Sequence, residues 1–346
     1  MIFSVSIGSS GKGDERYLLY IPFTVSPGRK ISNINFEEKI ALDKYEIGFE
    51  KTKYLYAVTI SSFPTKDEAC SFYSKIKSAF FWVSLKHLIG LNSPSELTDI
   101  SLNENPIPIS DKSMLKGIAD YAGWKTIDGN YDSDKCIIRP EHKRLVRWEG
   151  GQVSVTAGLG VSNFINTIKE AISFSYPENI LNNHKLQLAI ELYSSFFFEQ
   201  SSEAKFIRLV TVLEALTPDE KVTEFSISVL NQIKQKTKFM RNQYKADSDD
   251  YNEINQLLSR IGQLKYKSIG RSLNDFIATI LKNDSSLGKE TEILSKLKNL
   301  YNLRSKLLHE GVADEQSIEN GLQFLMDFVP KLLQFLYIDN TNNTKI

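Results

Sequence analysis

Residues 291–311 read TEILSKLKNLYNLRSKLLHEG. Ile293, Leu294, Leu297, Leu300, Leu303, Leu307 and Leu308 recur at steps of three and four, the spacing that lines side chains along one face of an α-helix. Gly311 stands where such a helix would end, because glycine takes the left-handed conformation of a C-cap without steric cost. Arg304, Lys306 and His309 occupy the last turns, and His309 is one of four histidines in 346 residues. The stretch predicts an amphipathic helix that carries its chemistry at its C-terminal end, and hence an all-α domain around it.

Working outward, the same periodicity extends over most of the C-terminal half. Helices are predicted over 186–198, 203–216, 222–245, 251–264, 272–282 and 314–337, with an acidic break at 247–250 and a polar, frayed tail at 339–346. Tyr176-Pro177 interrupts the pattern and marks the change of class. The domain boundary is therefore placed after Ser175, giving domains 1–175 and 176–346.

The N-terminal half reads as α+β. Residues 2–7, 17–25 and 54–62 are rich in β-branched and aromatic residues between turn signals and predict strands, with a further strand at 45–49. Pro64-Thr65-Lys66-Asp67-Glu68 opens a long helix, with Thr65 as N-cap and acids in the first turn. Phe72, Ile76, Phe80, Val83 and His87 share one face of it; it runs to about Leu88, and Gly90 ends it. A polar loop at 91–111, a short helix at 114–121, short strands at 136–138 and 153–156 and a helix at 164–174 complete the half.

Composition narrows the classes. Lys+Arg and Asp+Glu both total 42, so the formal net charge is zero. That argues against non-specific duplex binding through a uniformly basic surface and leaves room for a local basic groove. Cys70 and Cys136 are the two cysteines, with no metal-ligand spacing and no basis for a disulfide framework. No secretory signal and no stretch of membrane-spanning length is present. The expectation is a cytoplasmic protein without membrane association, metal or cofactor.

Several features invite a chemical reading. Residues 8–13, GSSGKG, fall short of a phosphate loop, because two residues rather than four separate the glycine from Gly-Lys and a glycine replaces the hydroxyl; a hairpin loop is the simpler reading. His87 reads as a structural histidine on an apolar helix, His142 as part of a charged run at 139–147, and His184 as part of a helix N-terminal turn. Arg304 and His309 differ in that each has a job in one reaction. An imidazole exchanges a proton near neutral pH, whereas a guanidinium stays charged and its planar fork suits a phosphate. Together they could cleave RNA by activating a ribose 2′-hydroxyl and stabilising charge on the phosphate. Five residues on a regular helix turn through roughly 140°, so convergence requires a distorted helix end or a second copy of the chain. The alternative is a surface cation and a histidine favourably placed at a helix C-terminus.

Two stretches together carry a family resemblance. Tyr301, Asn302, Leu303, Arg304, Ser305, Lys306, Leu307, Leu308 and His309 form Tyr-x-x-Arg-Ser-x-x-x-His, which resembles the Arg-x4–6-His signature of the HEPN superfamily, closest to its Apea-like branch. Residues 206–216, FIRLVTVLEAL, resemble the helix that this branch places before the signature helix. The resemblance covers roughly 183–337. It implies an all-α HEPN-like helical bundle, a homodimer or higher homo-oligomer, and metal-independent ribonuclease activity of the kind found in toxin, antiphage and RNA-processing systems. By the same carry-over Arg304 would hold the scissile phosphate and His309 would transfer a proton. Tyr301, Asn302, Ser305 and Lys306 are supporting positions, although the superfamily more usually has Asn, Asp or His where Ser305 stands. Glu214 could orient Arg304 or His309, or cap a buried network.

Between the two stretches lies a basic segment with interleaved tyrosines. Lys234, Lys238, Arg241, Lys265, Lys267 and Arg271 suit a surface that tracks an RNA backbone, or equally a solvated helical face. The leading expectation is an RNA-cleaving endoribonuclease whose N-terminal α+β domain senses a phage or cellular trigger or positions substrate. The alternative is a non-catalytic HEPN scaffold that dimerises and binds nucleic acid or nucleotide.

Overall fold

The computed structural model describes residues 16–32, 40–42, 44–51, 56–93, 97–99, 136–140, 158–246, 248–311 and 313–342. The expected strands at 2–7 and 153–156, the helix at 114–121, the loop at 8–13 and His142 lie outside them. An N-terminal antiparallel sheet region is followed by a predominantly helical C-terminal part. Two compact units form: one takes the described residues up to Glu199 and those from Leu333, the other Gln200–Leu332. This division differs from the expected boundary after Ser175, and the packing of 176–199 and of the C-terminal residues explains why.

In the first unit the strands are β1 (Tyr17–Val25), β2 (Lys30–Ser32), β3 (Ile40–Leu42), β4 (Tyr45–Lys51) and β5 (Tyr56–Phe63), then β6 (Leu91–Asn92), β7 (Leu97–Asp99), β8 (Cys136–Pro140) and β9 (Gly158–Gly160). The main sheet runs β3-β4-β5-β1-β8-β7, with β6 also on β1, while β2 and β9 pair separately in parallel. Strand β1 is buried across Leu19 to Phe23, as befits the centre of a sheet. Pro22 is tolerated there because β8 pairs with β1 only through residues 17–20 and β6 only at 24 and 25; the residue without an N–H sits between two partners.

Helix α1 (Lys66–His87) begins as expected, with the Thr65 hydroxyl accepting from the Glu68 amide. Ile76, Phe80 and Val83 are buried. Phe23, Phe80 and Phe164 meet face and edge at centroid distances of 5.1–6.0 Å. The helix runs to its expected end at Leu88, which itself takes the left-handed region, φ 51°, so Gly90 is not the stop. Gly90 serves a different purpose: a Cβ there would lie 2.6 Å from the Ser194 carbonyl oxygen and 2.7 Å from the Phe198 ring. Gly90→Ala is therefore expected to cost about 1–3 kcal/mol by forcing backbone apart, which a urea titration would register as a lower midpoint.

Helices α2 (Val161–Ile172), α3 (Asn179–Asn182) and α4 (His184–Phe196) belong to the same unit. His87 Nε2 lies 2.7 Å from the Thr167 hydroxyl on α2, half-buried, and burial lowers its pKa. His184 opens α4 after the Asn183 cap. The hydroxyl of Ser194 on α4 donates to the Leu91 carbonyl and accepts from the Leu91 amide, so 176–199 is fastened to the sheet side of the chain. Of the tail expected at 339–346, the described part is helical: α10 (Glu315–Asn342) continues to Asn342 and Thr341 is fully buried, while 343–346 lie outside the described residues. Tyr337 is also fully buried, stacked on Trp82 at 5.0 Å, with its hydroxyl donating to the Ser78 carbonyl at 2.9 Å.

The second unit contains α5 (Ser202–Leu216), α6 (Glu224–Arg241), α7 (Asp249–Gln263), α8 (Ile269–Asn283), α9 (Glu290–Glu310) and the first part of α10. Ser201, Thr223, Ser248 and Ser268 cap α5 to α8 with side-chain oxygens that accept an amide of the first turn, which satisfies donors the helix itself leaves free. Phe206, Leu209, Leu213, Ile277, Leu297, Leu300 and Leu325 form the core. Gly321 on α10 permits the closest approach: a Cβ there would meet Leu300 at 2.6 Å and Phe206 at 3.0 Å. Among the described residues no helix is long and apolar enough to cross a membrane.

Candidate active site

Helix α9 buries Ile293, Leu297 and Leu300, and the next position on that stripe, four residues on, is Arg304. The periodicity that builds the core thus carries a guanidinium to the edge of it. Helix α5 faces it with Leu209, Val210, Leu213 and Leu216 buried and Glu214 in its last turns. Arg304 Nη2 donates to Glu214 Oε2 at 3.2 Å, between side chains 25% and 13% exposed. Burial pushes the Glu214 carboxyl above its ordinary value, and the Arg304 charge pulls it partly back. Glu214 Oε1 and Arg304 Nε are buried without a hydrogen-bond partner among the described residues. A pair of this kind holds a guanidinium in place and leaves part of its donor fork unused.

His309 lies elsewhere on the helix. Helix α9 remains α-helical through Glu310, and Gly311 closes it at φ 70° with its amide on the Leu307 carbonyl. No distorted end brings His309 round to Arg304, so the five-residue spacing keeps them roughly 140° apart. His309 is exposed, as are Asn302 and Lys306, whereas Tyr301 and Ser305 are half-buried. Tyr301 packs on α8 beside Gly270, where an added Cβ would meet the tyrosine ring in ordinary van der Waals contact at 3.6 Å.

The six basic residues divide. Lys234, Lys238 and Arg241 are placed four and three residues apart along one side of α6. Arg241 is half-buried, donates to Asn255 Oδ1 at 3.1 Å and lies 5.5 Å from the Tyr251 ring centre, tying α6 to α7. Lys267 bridges Glu220 at 2.5 Å and Asp275 at 2.8 Å, and the two carboxylates raise its pKa, with Asp275 the larger influence. Lys265 is half-buried beside it, and Arg271 is exposed on the first turn of α8. No hydrogen bond or ion pair joins any of the six to Arg304 or His309 among the described residues. Nor do the described residues contain a group of three or more His, Cys, Asp or Glu side chains that could hold a metal ion.

No protein-family model, curated protein or solved structure matches the chain.

Proposed function

We propose that the helical unit is a HEPN-like endoribonuclease module that cleaves RNA by attack of a ribose 2′-hydroxyl on the adjacent phosphate. The observation that supports this reading is the Arg304–Glu214 pair. The two stretches that carry the resemblance, residues 206–216 and 301–309, meet side chain to side chain at their most characteristic polar residues, 90 positions apart. In the reaction Arg304 holds the non-bridging phosphate oxygens. His309 takes the 2′-hydroxyl proton as the 2′-oxygen bonds to phosphorus. The bond from phosphorus to the 5′-oxygen then breaks, and the leaving oxygen takes a proton. The products are a 2′,3′-cyclic phosphate and a 5′-hydroxyl. Because α9 is regular, the Arg304 and His309 of one site come from two copies of the chain. An antiphage or toxin role, with a trigger sensed by the sheet-containing unit, belongs to the same reading.

The test is RNA cleavage by the full chain in excess chelator, with the ends identified by mass spectrometry. Activity should persist without divalent metal, and His309→Ala should lower it by about 100-fold or more. Mixing His309→Ala with Arg304→Lys chains should restore part of the activity, since one composite site per mixed dimer would be intact. Full activity in both single variants overturns the assignment. One observation favours a second reading, a non-catalytic scaffold that binds nucleic acid or nucleotide: Arg304 is already engaged by a carboxylate. Tight RNA binding with no cleavage by any preparation would select it.

A further inference from the structure

Helix α9 turns a second face to solvent, away from the core and from Arg304. Thr291, Ser295, Lys298, Asn302, Lys306 and His309 are all exposed. At about 100° per residue they fall within a stripe roughly 80° wide, opposite the buried Ile293, Leu297 and Leu300. Over residues 291–309 the stripe is about 27 Å long. A solvated helix face commonly mixes both signs of charge. This one holds hydroxyls, an amide, two lysines and a histidine, and the acids of α9, Glu290, Glu292 and Glu310, fall outside it. Lys267, Lys289 and Lys331 of the same unit are paired with carboxylates. No hydrogen bond or ion pair holds Lys298 or Lys306 among the described residues.

We infer that this stripe is the track along which a single-stranded RNA backbone approaches His309, an inference that rests on the nuclease reading for the point of chemistry. Ammonium, hydroxyl and amide groups are those that meet phosphate and sugar oxygens. Lys298, Asn302 and Lys306 stand four residues apart, about 6 Å along the axis, a step that matches successive phosphates of an extended strand. A strand carries one negative charge per nucleotide, so the surface complementary to it repeats donors and omits carboxylates. The stripe is a single helix face wide, too narrow to meet both backbones of a duplex. In-line attack also requires the 2′-oxygen, phosphorus and the leaving oxygen to be aligned, which a free strand attains and a regular duplex does not. No aromatic side chain lies in the stripe to stack bases, so the contact follows the backbone and is indifferent to sequence.

The test is binding of the full chain to an oligouridylate of about 12 nucleotides, within the usual range of single-strand site sizes, 2′-O-methylated so that it is not cut. Lys298→Gln should lower the magnitude of the slope of log affinity against log salt by about 0.7, the share of one phosphate contact on a single strand. Lys298→Arg should keep the slope. Lys296→Gln removes the same charge two residues away on the other side of the helix, where Lys296 lies over the Phe324 ring, and should leave the slope unchanged. On the unmodified oligonucleotide Lys298→Gln should raise KM and keep kcat. Cleavage of the dinucleotide UpU should stay as in wild type, because Lys298 lies roughly 16 Å along the axis from His309. An unchanged slope in Lys298→Gln, an equal loss in Lys296→Gln, or a wild type that binds no strand and so leaves the face to another partner overturns the inference. Binding that depends on Lys298 without cleavage of any RNA would sink the nuclease reading and leave the track as a binding surface. Cleavage with binding indifferent to Lys298 would do the reverse.

Discussion

Arg304→Ala is expected to destabilise the helical unit by about 2–3 kcal/mol at neutral pH, somewhat below the cost of breaking a fully buried pair because Arg304 keeps some solvent contact. Glu214, 13% exposed, would be left with its charge and no cation. Removing the arginine lifts the Glu214 carboxyl further above its ordinary value, because burial remains and the opposing influence is gone. A carboxyl raised on folding binds more protons in the folded state. Its contribution to stability is fully present below the unfolded value and is lost as pH rises through the folded one. The penalty of Arg304→Ala is therefore largest at neutral pH and shrinks as pH falls toward about 4.3, the ordinary glutamate value. Adding Glu214→Gln should remove most of the pH dependence. Urea unfolding at two pH values checks this, and an equal penalty at both would show that the pair does not act through charge. Under the proposed function the same variant should also lose cleavage, separably from stability, because Glu214→Gln would not restore it.

Tyr337→Ala should have the larger effect on stability, about 3–5 kcal/mol, typical of truncating a fully buried aromatic side chain. The ring stacks on Trp82, meets Phe174 edge-on at 5.9 Å, and its hydroxyl donates to the Ser78 carbonyl at 2.9 Å. Ser78 in turn donates to the Pro177 carbonyl, so one side chain joins α1, the Tyr176-Pro177 turn and the end of α10. Tyr337→Phe keeps the ring and should cost about 1–2 kcal/mol, the net loss of hydrogen bonds at a buried site. Thermal and urea melts of the two variants separate packing from hydrogen bonding; equal effects would contradict the division.

Much of the fold was legible because local signals and packing agree. Strand β1, the Thr65 cap of α1 and the Gly311 cap of α9 follow from residues within a few positions of each other. Strands β2, β3, β6, β7 and β9, of two or three residues each, carry no periodicity, and their pairing is decided by distant partners. The same distinction holds at the candidate site. That residues 206–216 and 291–311 form amphipathic helices could be read from their leucines. Which polar residues meet could not, because Glu214 and Arg304 are joined by helix register rather than by spacing. Tyr176-Pro177 breaks the helical pattern within a few residues, whereas the fastening of Ser194 to Leu91 and of Tyr337 to Ser78 joins distant positions and depends on packing. That Arg304 and His309 do not share one face of a regular helix was legible, since it follows from helix geometry alone.

The pairing of Lys267 with Glu220 and Asp275 has a thermodynamic consequence for any polyanion that reaches the basic segment. Part of the affinity of such encounters comes from small ions set free into bulk solution, and its salt dependence counts the cations engaged. Lys267 is already neutralised by two carboxylates within its own unit, so its contact with a phosphate would first break those pairs. The electrolyte sensitivity of binding along this face is therefore set by the lysines and arginines that still face solvent, a smaller number than the run of basic letters in the sequence suggests.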